Sequence, residues 1–214
     1  MEQFAALSGI SSLRHAFIGR VPRIDVASDK AEALRRIDAV HRRVRESLGL
    51  AGLPLLTAEQ VHGNHVAVVD RAVATDKRFD GCDGIVTDQP NILLGIYVAD
   101  CGAVFLADPV RKVIGLVHSG KKGTELGIVP QAIDLMVGRF GSVPADIIVQ
   151  LAPCIRPPHY EIDFAAEILR QARARGVRDV HDSGVCTACE PARYYSYRAE
   201  KGKTGRMLAL LAML

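Results

Sequence analysis

Tryptophan is absent from this 214-residue chain, and aromatic residues together make up only 5% of it. The core must therefore be built from Leu, Val, Ile and Ala, which the 49% hydrophobic content supplies. An excess of one charge is also lacking: 27 Lys and Arg against 24 Asp and Glu leave a formal +3. That excess is too small to mark a nucleic-acid partner, and the basic residues are dispersed apart from Arg35, Arg36, Arg42, Arg43 and Arg45. Those five fall on an expected helix and read as its solvated face. No uncharged stretch reaches the length of a membrane span, so no membrane partner is expected. Met1 to Leu13 has no basic segment followed by a long apolar one, so no secretion signal is expected either. The 24% charged residues are near the globular average and argue against wholesale disorder. The length fits one domain over residues 1–214.

Cysteine is scarce and odd in number: Cys82, Cys101, Cys154, Cys186 and Cys189. With no secretion signal, a reducing cytoplasmic compartment is expected, with the thiols free or metal-bound. Cys186-Thr187-Ala188-Cys189 is a single CxxC without a second pair. No thioredoxin-like unit surrounds it, so it reads as neutral thiols in a loop.

Periodicity predicts strands at Leu13 to Arg20, His65 to Val69, Ile85 to Thr87, Ile92 to Ala99, Ala103 to Ala107, Val113 to Val117 and Ile147 to Gln150. It predicts helices at Ser28 to Leu48, Gly127 to Phe140 and Ile162 to Ala174. In the first helix Ala31, Leu34, Ile37, Val40 or His41, Val44 and Leu48 form the apolar stripe. Arg206 to Leu214 fits a helix or a strand. The alternation is too irregular for a doubly wound sheet and favours a mixed α/β sheet with flanking helices.

Three strings then stand out: Gln60-Val61-His62-Gly63, Ala99-Asp100-Cys101 and His118-Ser119-Gly120. Each sets one soft or borderline metal ligand beside an apolar, strand-like run. Two imidazoles and a thiolate from separate parts of the chain match a catalytic zinc, which keeps a position open for water or a substrate oxygen. A structural site would more often use local ligand pairs. His65, three residues from His62 on an extended segment, would face the other way. Taken singly, each residue has a bland reading as a buried small hydrophobe or a hydrogen-bonded imidazole. Asp100 reads equally as a turn-capping carboxylate or as a general acid/base and an acceptor for a ligand imidazole. Gly115 to Lys122 fits a phosphate loop except at its last position, where Lys122 replaces the Ser or Thr that would hold Mg²⁺. Gly120, Gly123 and Gly127 can still cradle an anion, with the lysines adding charge.

These strings, together with Asp83-Gly84-Ile85-Val86-Thr87, Ala152-Pro153-Cys154-Ile155, Tyr160-Glu161, Tyr195-Ser196-Tyr197-Arg198 and Thr204-Gly205-Arg206, occur in an order that resembles the YfiH-like laccase-domain family. That family is also called the multicopper polyphenol oxidase or purine nucleoside phosphorylase family. The resemblance covers about residues 8 to 214. It implies a four-layer α/β/β/α sandwich with mixed β-sheets and a zinc held by His62, Cys101 and His118, copper being the less favoured metal. It implies phosphorolysis of purine nucleosides, with adenosine deamination beside it. The expected catalytic set is Asp100, Cys101 and His118. The expected contacts to nucleoside and phosphate are Arg20, Gln60, Lys122 and Arg198, with Arg206 a further candidate. Alternatives are a hydrolase of another substrate such as a peptidoglycan precursor, a copper polyphenol oxidase, and an inactive binding module. Seven scattered histidines do not supply the several copper sites of a laccase. Two departures from the family pattern bear on substrate: Lys121 and Lys122 replace a Trp-Arg pair, and a glycine-rich loop after Arg20 is missing. Arg offers phosphate a planar fork, whereas Lys offers a point charge.

Overall fold

The computed structural model describes residues 1–214. Its elements run α1 (Ala5–Ser8), β1 (Leu13–Ile18), α2 (Lys30–Ser47), β2 (Leu55–Ala58), β3 (Val66–Val69), β4 (Lys77–Phe79), β5 (Gly84–Thr87), β6 (Ile92–Val98), β7 (Gly102–Asp108) and β8 (Val113–Ser119). They continue with α3 (Lys121–Glu125), α4 (Ile128–Phe140), β9 (Ile148–Leu151), α5 (Phe164–Ala174), β10 (Asp179–Asp182) and β11 (Met207–Met213). None of the helices is long and apolar enough to cross a membrane.

The strands form two mixed sheets, ordered β1-β11-β6-β2-β4 and β10-β9-β7-β8-β5-β3. Alternation along each strand decides the layers. Ile92, Leu94 and Ile96 of β6 and Ala209 and Leu211 of β11 share one core with Phe105 of β7 and Leu116 of β8, between the sheets. The opposite face of the first sheet, with Leu93, Leu208 and Leu210, packs against Val44 of α2 and its C-cap Leu48. The opposite face of the second, with Val104, Leu106 and Val117, packs against Ile133 and Met136 of α4 and Ile168 of α5. The result is the expected α/β/β/α sandwich. The ambiguous C-terminal run is β11, a central strand. Both of its faces are covered, so its sequence is apolar throughout and shows no alternation.

Helix α2 matches its expectation closely: the Asp29 side chain accepts from the Glu32 N–H as its N-cap. Its stripe is shifted, however, with Ala33 buried and Ala31 exposed. Arg35 and Arg36 pair with Glu32, and Arg42 pairs with Asp38, which confirms a solvated basic face. The first strand ends at Ile18, two residues short of Arg20.

One topological fact positions the site. Strands β4, β2 and β6 are parallel neighbours, so their C-terminal ends lie along one edge. From those ends the chain crosses three times to the other sheet, into β5, β3 and β7. Asp83, His62 and Cys101 lie on these three crossings.

Candidate metal centre

His118 joins the crossings through register. In the antiparallel β7–β8 pair it lies opposite Ala103, two residues beyond Cys101. In the β5–β8 pair Val117 lies opposite Gly84, next to Asp83. His62, Cys101 and His118 thereby present ligand atoms that all lie within 4.8 Å of one another. The two imidazole rings stand edge to face, with centroids 4.8 Å apart. His65 remains outside this group, but not because the segment is extended. Gln60 and His62 both take left-handed backbone angles, φ 68° and 61°, which turn the segment sharply.

Asp83 organises the group. Its carboxylate is fully buried and accepts from the backbone N–H groups of His62 at 2.8 Å, Gly63 at 2.7 Å and Val61 at 3.2 Å. The same carboxylate meets Nδ1 of His118 at 2.8 Å. It therefore holds the strained His62 turn and orients the His118 ring, leaving Nε2 for a metal. Burial pushes the Asp83 carboxyl up, but His118 and the Gly63 and His62 N–H groups outweigh it and hold the group below its ordinary value. The sequence reading gave the imidazole-acceptor role to Asp100. In the structure Asp83 fills it, and an Asp-Gly pair before a strand had read only as a turn.

Cys101 and His118 perturb each other. Burial pushes the Cys101 thiol up, yet hydrogen bonds from His118 and His62 bring it down to about 6. Burial pushes His118 down, yet Asp83 and Cys101 raise it to about 9. A thiol already inclined to ionise beside two imidazoles is the donor chemistry a zinc ion requires. The space is also reserved: a Cβ on Gly120 would stand 2.6 Å from the Cys101 sulfur. The residues present therefore fit a three-ligand metal.

The group opens into a cavity of about 470 Å³. Asp100 lines it, with a carboxylate accepting from Thr187 Oγ1 at 2.7 Å, Ser196 Oγ at 3.1 Å and the Arg198 N–H at 2.7 Å. Asp100 thus ties three segments together, and its own φ is 79°. Gln60 lines the cavity too, but both ends of its amide are taken by the Tyr97 backbone, at 2.5 and 3.1 Å. Arg198 lines the rim, pairs with Glu161 at 3.0 Å and lies over the Tyr160 ring. Arg20 lies outside the lining; it pairs with Glu200 at 2.8 Å and stacks on Tyr195. Lys122 also lies outside, exposed on α3, and the neighbour that lines the cavity is Lys121. Sequence reasoning missed Lys30, at the first turn of α2, which lines the opposite wall beside Arg206. Burial pulls the Arg206 guanidinium below its ordinary value, with Asp100 opposing, and Glu59 and Asp83 act on Lys30 through space without an ion pair.

The family model described as multi-copper polyphenol oxidoreductase laccase matches residues 20–172 and 162–214. A purine nucleoside phosphorylase of Streptomyces griseus, ORF3, is 31% identical over 80% of this chain and 79% of its own length. The purine nucleoside phosphorylase YlmD of Geobacillus stearothermophilus is 31% identical over 82% of this chain and 79% of its own. The crystal structure of that YlmD superposes with a TM-score of 0.79, at 25% identity over 95% of this chain and 93% of the other. The Bacillus licheniformis hypothetical protein YfiH shares the fold with a TM-score of 0.82, over 94% and 93% of the two chains, at 24% identity.

Proposed function

The chain belongs to the multi-copper polyphenol oxidoreductase laccase family, and on that basis we propose that residues 1–214 act as one domain, a zinc-dependent purine nucleoside phosphorylase of the cytoplasm. The observation that carries the reading is a juxtaposition in one cavity. His62, Cys101 and His118 form a three-donor group, and Lys30, Lys121 and Arg206 bring positive charge to the same cavity without being tied up in an ion pair. A neutral nucleoside alone does not call for those cations, whereas phosphate does. The names of the two relatives support the same activity.

In this reading His62, Cys101 and His118 would hold the zinc, which would supply Lewis acidity beside the cavity. Asp83 keeps the His118 ring fixed and its Nδ1 proton in place. Lys121 and Arg206 hold phosphate from two walls and Lys30 adds charge, so that the anion is oriented toward the sugar carbon. Tyr160 and Tyr197 line the cavity as aromatic surface for a base, with Arg198 and Arg206 over one face of each ring. Asp100 acts mainly by holding the Thr187, Ser196 and Arg198 segments that form the far wall.

Zinc is preferred over copper because the chain assembles one three-donor group, whereas laccase chemistry draws on several copper centres. Copper binds such donors more tightly than zinc, so contaminating copper would give a weak oxidase activity. Protein prepared with zinc and without copper is expected to leave phenols unoxidised; vigorous phenol oxidation by that sample would restore the laccase reading.

The test is a screen of adenosine, inosine, guanosine and methylthioadenosine with the zinc-loaded protein, with and without phosphate. Phosphorolysis predicts free base and a sugar 1-phosphate that appear only with phosphate. Inosine released from adenosine in either condition would add a deaminase. No product from any nucleoside would overturn the proposal and favour a hydrolase of another substrate or a binding module.

A further inference from the structure

The CxxC pair sits next to the cavity and touches its wall through one residue. Thr187–Cys189 is a single 3-10 turn, in which the Cys189 N–H donates to the Cys186 carbonyl at 3.2 Å. A four-residue turn of this kind brings its end Cα atoms within about 7 Å, close enough for a disulfide once the turn adjusts to the fixed S–S geometry. Cys189 is exposed and Cys186 half-buried, so the pair is open to solvent from one side. The Cys186 thiol beside it holds the Cys189 thiol above its ordinary value. Between them, Thr187 is fully buried. Its N–H donates to the Cys154 carbonyl at 3.2 Å, and its hydroxyl donates to Asp100 Oδ1 at 2.7 Å. Asp100 precedes Cys101 and sits in a left-handed conformation that its hydrogen bonds must sustain.

We propose that Cys186 and Cys189 form a thiol–disulfide modification site, oxidised by a low-molecular-weight disulfide such as glutathione disulfide, and that closing it displaces Thr187 from Asp100. Cys189, the more accessible of the two, attacks one sulfur of glutathione disulfide as its thiolate and expels one glutathione thiolate; because its thiol is held above the ordinary value, this step speeds up as pH rises. The Cys186 thiolate then attacks the Cys189 sulfur of the mixed disulfide and expels the second. Two protein thiols lose two protons and two electrons, and one glutathione disulfide becomes two glutathiones. Drawing the two sulfurs to bonding distance tightens the turn on which Thr187 rides. Asp100 Oδ1 then loses its donor, and the wall formed by Asp100, Ser196 and Arg198 loosens. The sequence alone suggested neutral loop thiols; the Thr187 hydroxyl gives them a consequence.

The test uses the full chain in a glutathione redox buffer, followed by peptide mapping and amide hydrogen exchange. A Cys101→Ser variant run beside the parent prevents the Cys101 thiol from competing for the oxidant. The expected product is a peptide joining 186 to 189, lighter by two hydrogens. Cys186→Ser should instead stop at glutathione bound to Cys189. The Arg198 amide, which donates to Asp100, should exchange severalfold faster after oxidation. Thr187→Ser, which keeps the hydroxyl, should preserve that difference, and the isosteric Thr187→Val should abolish it. A pair that stays reduced in excess glutathione disulfide would overturn the proposal. So would an Arg198 amide that exchanges equally in both states.

Discussion

His118 and His41 are buried to the same depth, with 4% and 3% exposure, yet their surroundings shift their imidazoles in opposite directions. His41, on the underside of α2, has no partner for Nε2 and lies tilted against the Tyr97 ring. Burial pushes it down to about 4, with Asp38 one turn away opposing and Arg45 adding to the fall, so it is neutral. His118 suffers the same burial, but Asp83 and Cys101 reverse the outcome and raise it to about 9. Depth of burial thus does not decide how readily an imidazole holds a proton in this molecule. What distinguishes the site is that the three crossings between the sheets deliver a carboxylate, a thiol and a second imidazole to one buried ring.

Removing the partner should turn the first histidine into the second. Asp83→Asn is expected to lower metal affinity by about 10–100-fold, the usual cost of losing an acceptor behind a ligating histidine. In metal-free parent protein, the rate of Cys101 alkylation by iodoacetamide should follow an apparent pKa near 6 that belongs to the Cys101–His118 pair. Lowering a thiol's pKa favours the thiolate, so the parent stays reactive down to about pH 6. In Asp83→Asn the midpoint should move toward the ordinary thiol value. Unchanged metal affinity and an unchanged profile would remove Asp83 from the account.

The opposite histidine gives a smaller effect with its own pH signature. The unfolded chain protonates His41 near 6.5, and the folded chain only near 4. The unfolded state therefore binds more protons in that window, so stability is complete above pH 6.5 and is lost as pH falls toward 4. At pH 5 the loss is about 2 kcal/mol. His41→Leu should abolish that part of the acid sensitivity, narrowing the gap between melting temperatures at pH 7.5 and pH 5. An identical gap in parent and variant would show that His41 has a partner in solution.

The difference between the two histidines also marks what the sequence could reveal. His62, Cys101 and His118 were legible because each sits where an apolar run gives way to Gly or Asp. Asp83 was not, because its role lies in the β5–β8 register, which places Val117 opposite Gly84. Strands β2, β4 and β10 were missed because each is only three or four residues long, and the edge strands Lys77–Phe79 and Asp179–Asp182 are polar besides. The choice between Lys121 and Lys122 depends on helical phase. Helix α3 begins at Lys121, so successive side chains diverge and only the first lines the cavity.

That phase yields the smallest expected effect. Lys121→Ala should raise the KM for phosphate, while Lys122→Ala, the variant the sequence alone would have favoured, should leave it within about twofold. Kinetics against phosphate concentration separate the two. A larger effect at Lys122 would place the anion outside the cavity described here.

The central claim is that His62, Cys101 and His118 hold one metal between them. Its most direct test is elemental analysis of protein produced with zinc, for the parent and for Cys101→Ser, with circular dichroism to confirm that both are folded. The account predicts about one zinc per chain in the parent and loss of the metal from a folded variant. Full zinc retention by folded Cys101→Ser would contradict it.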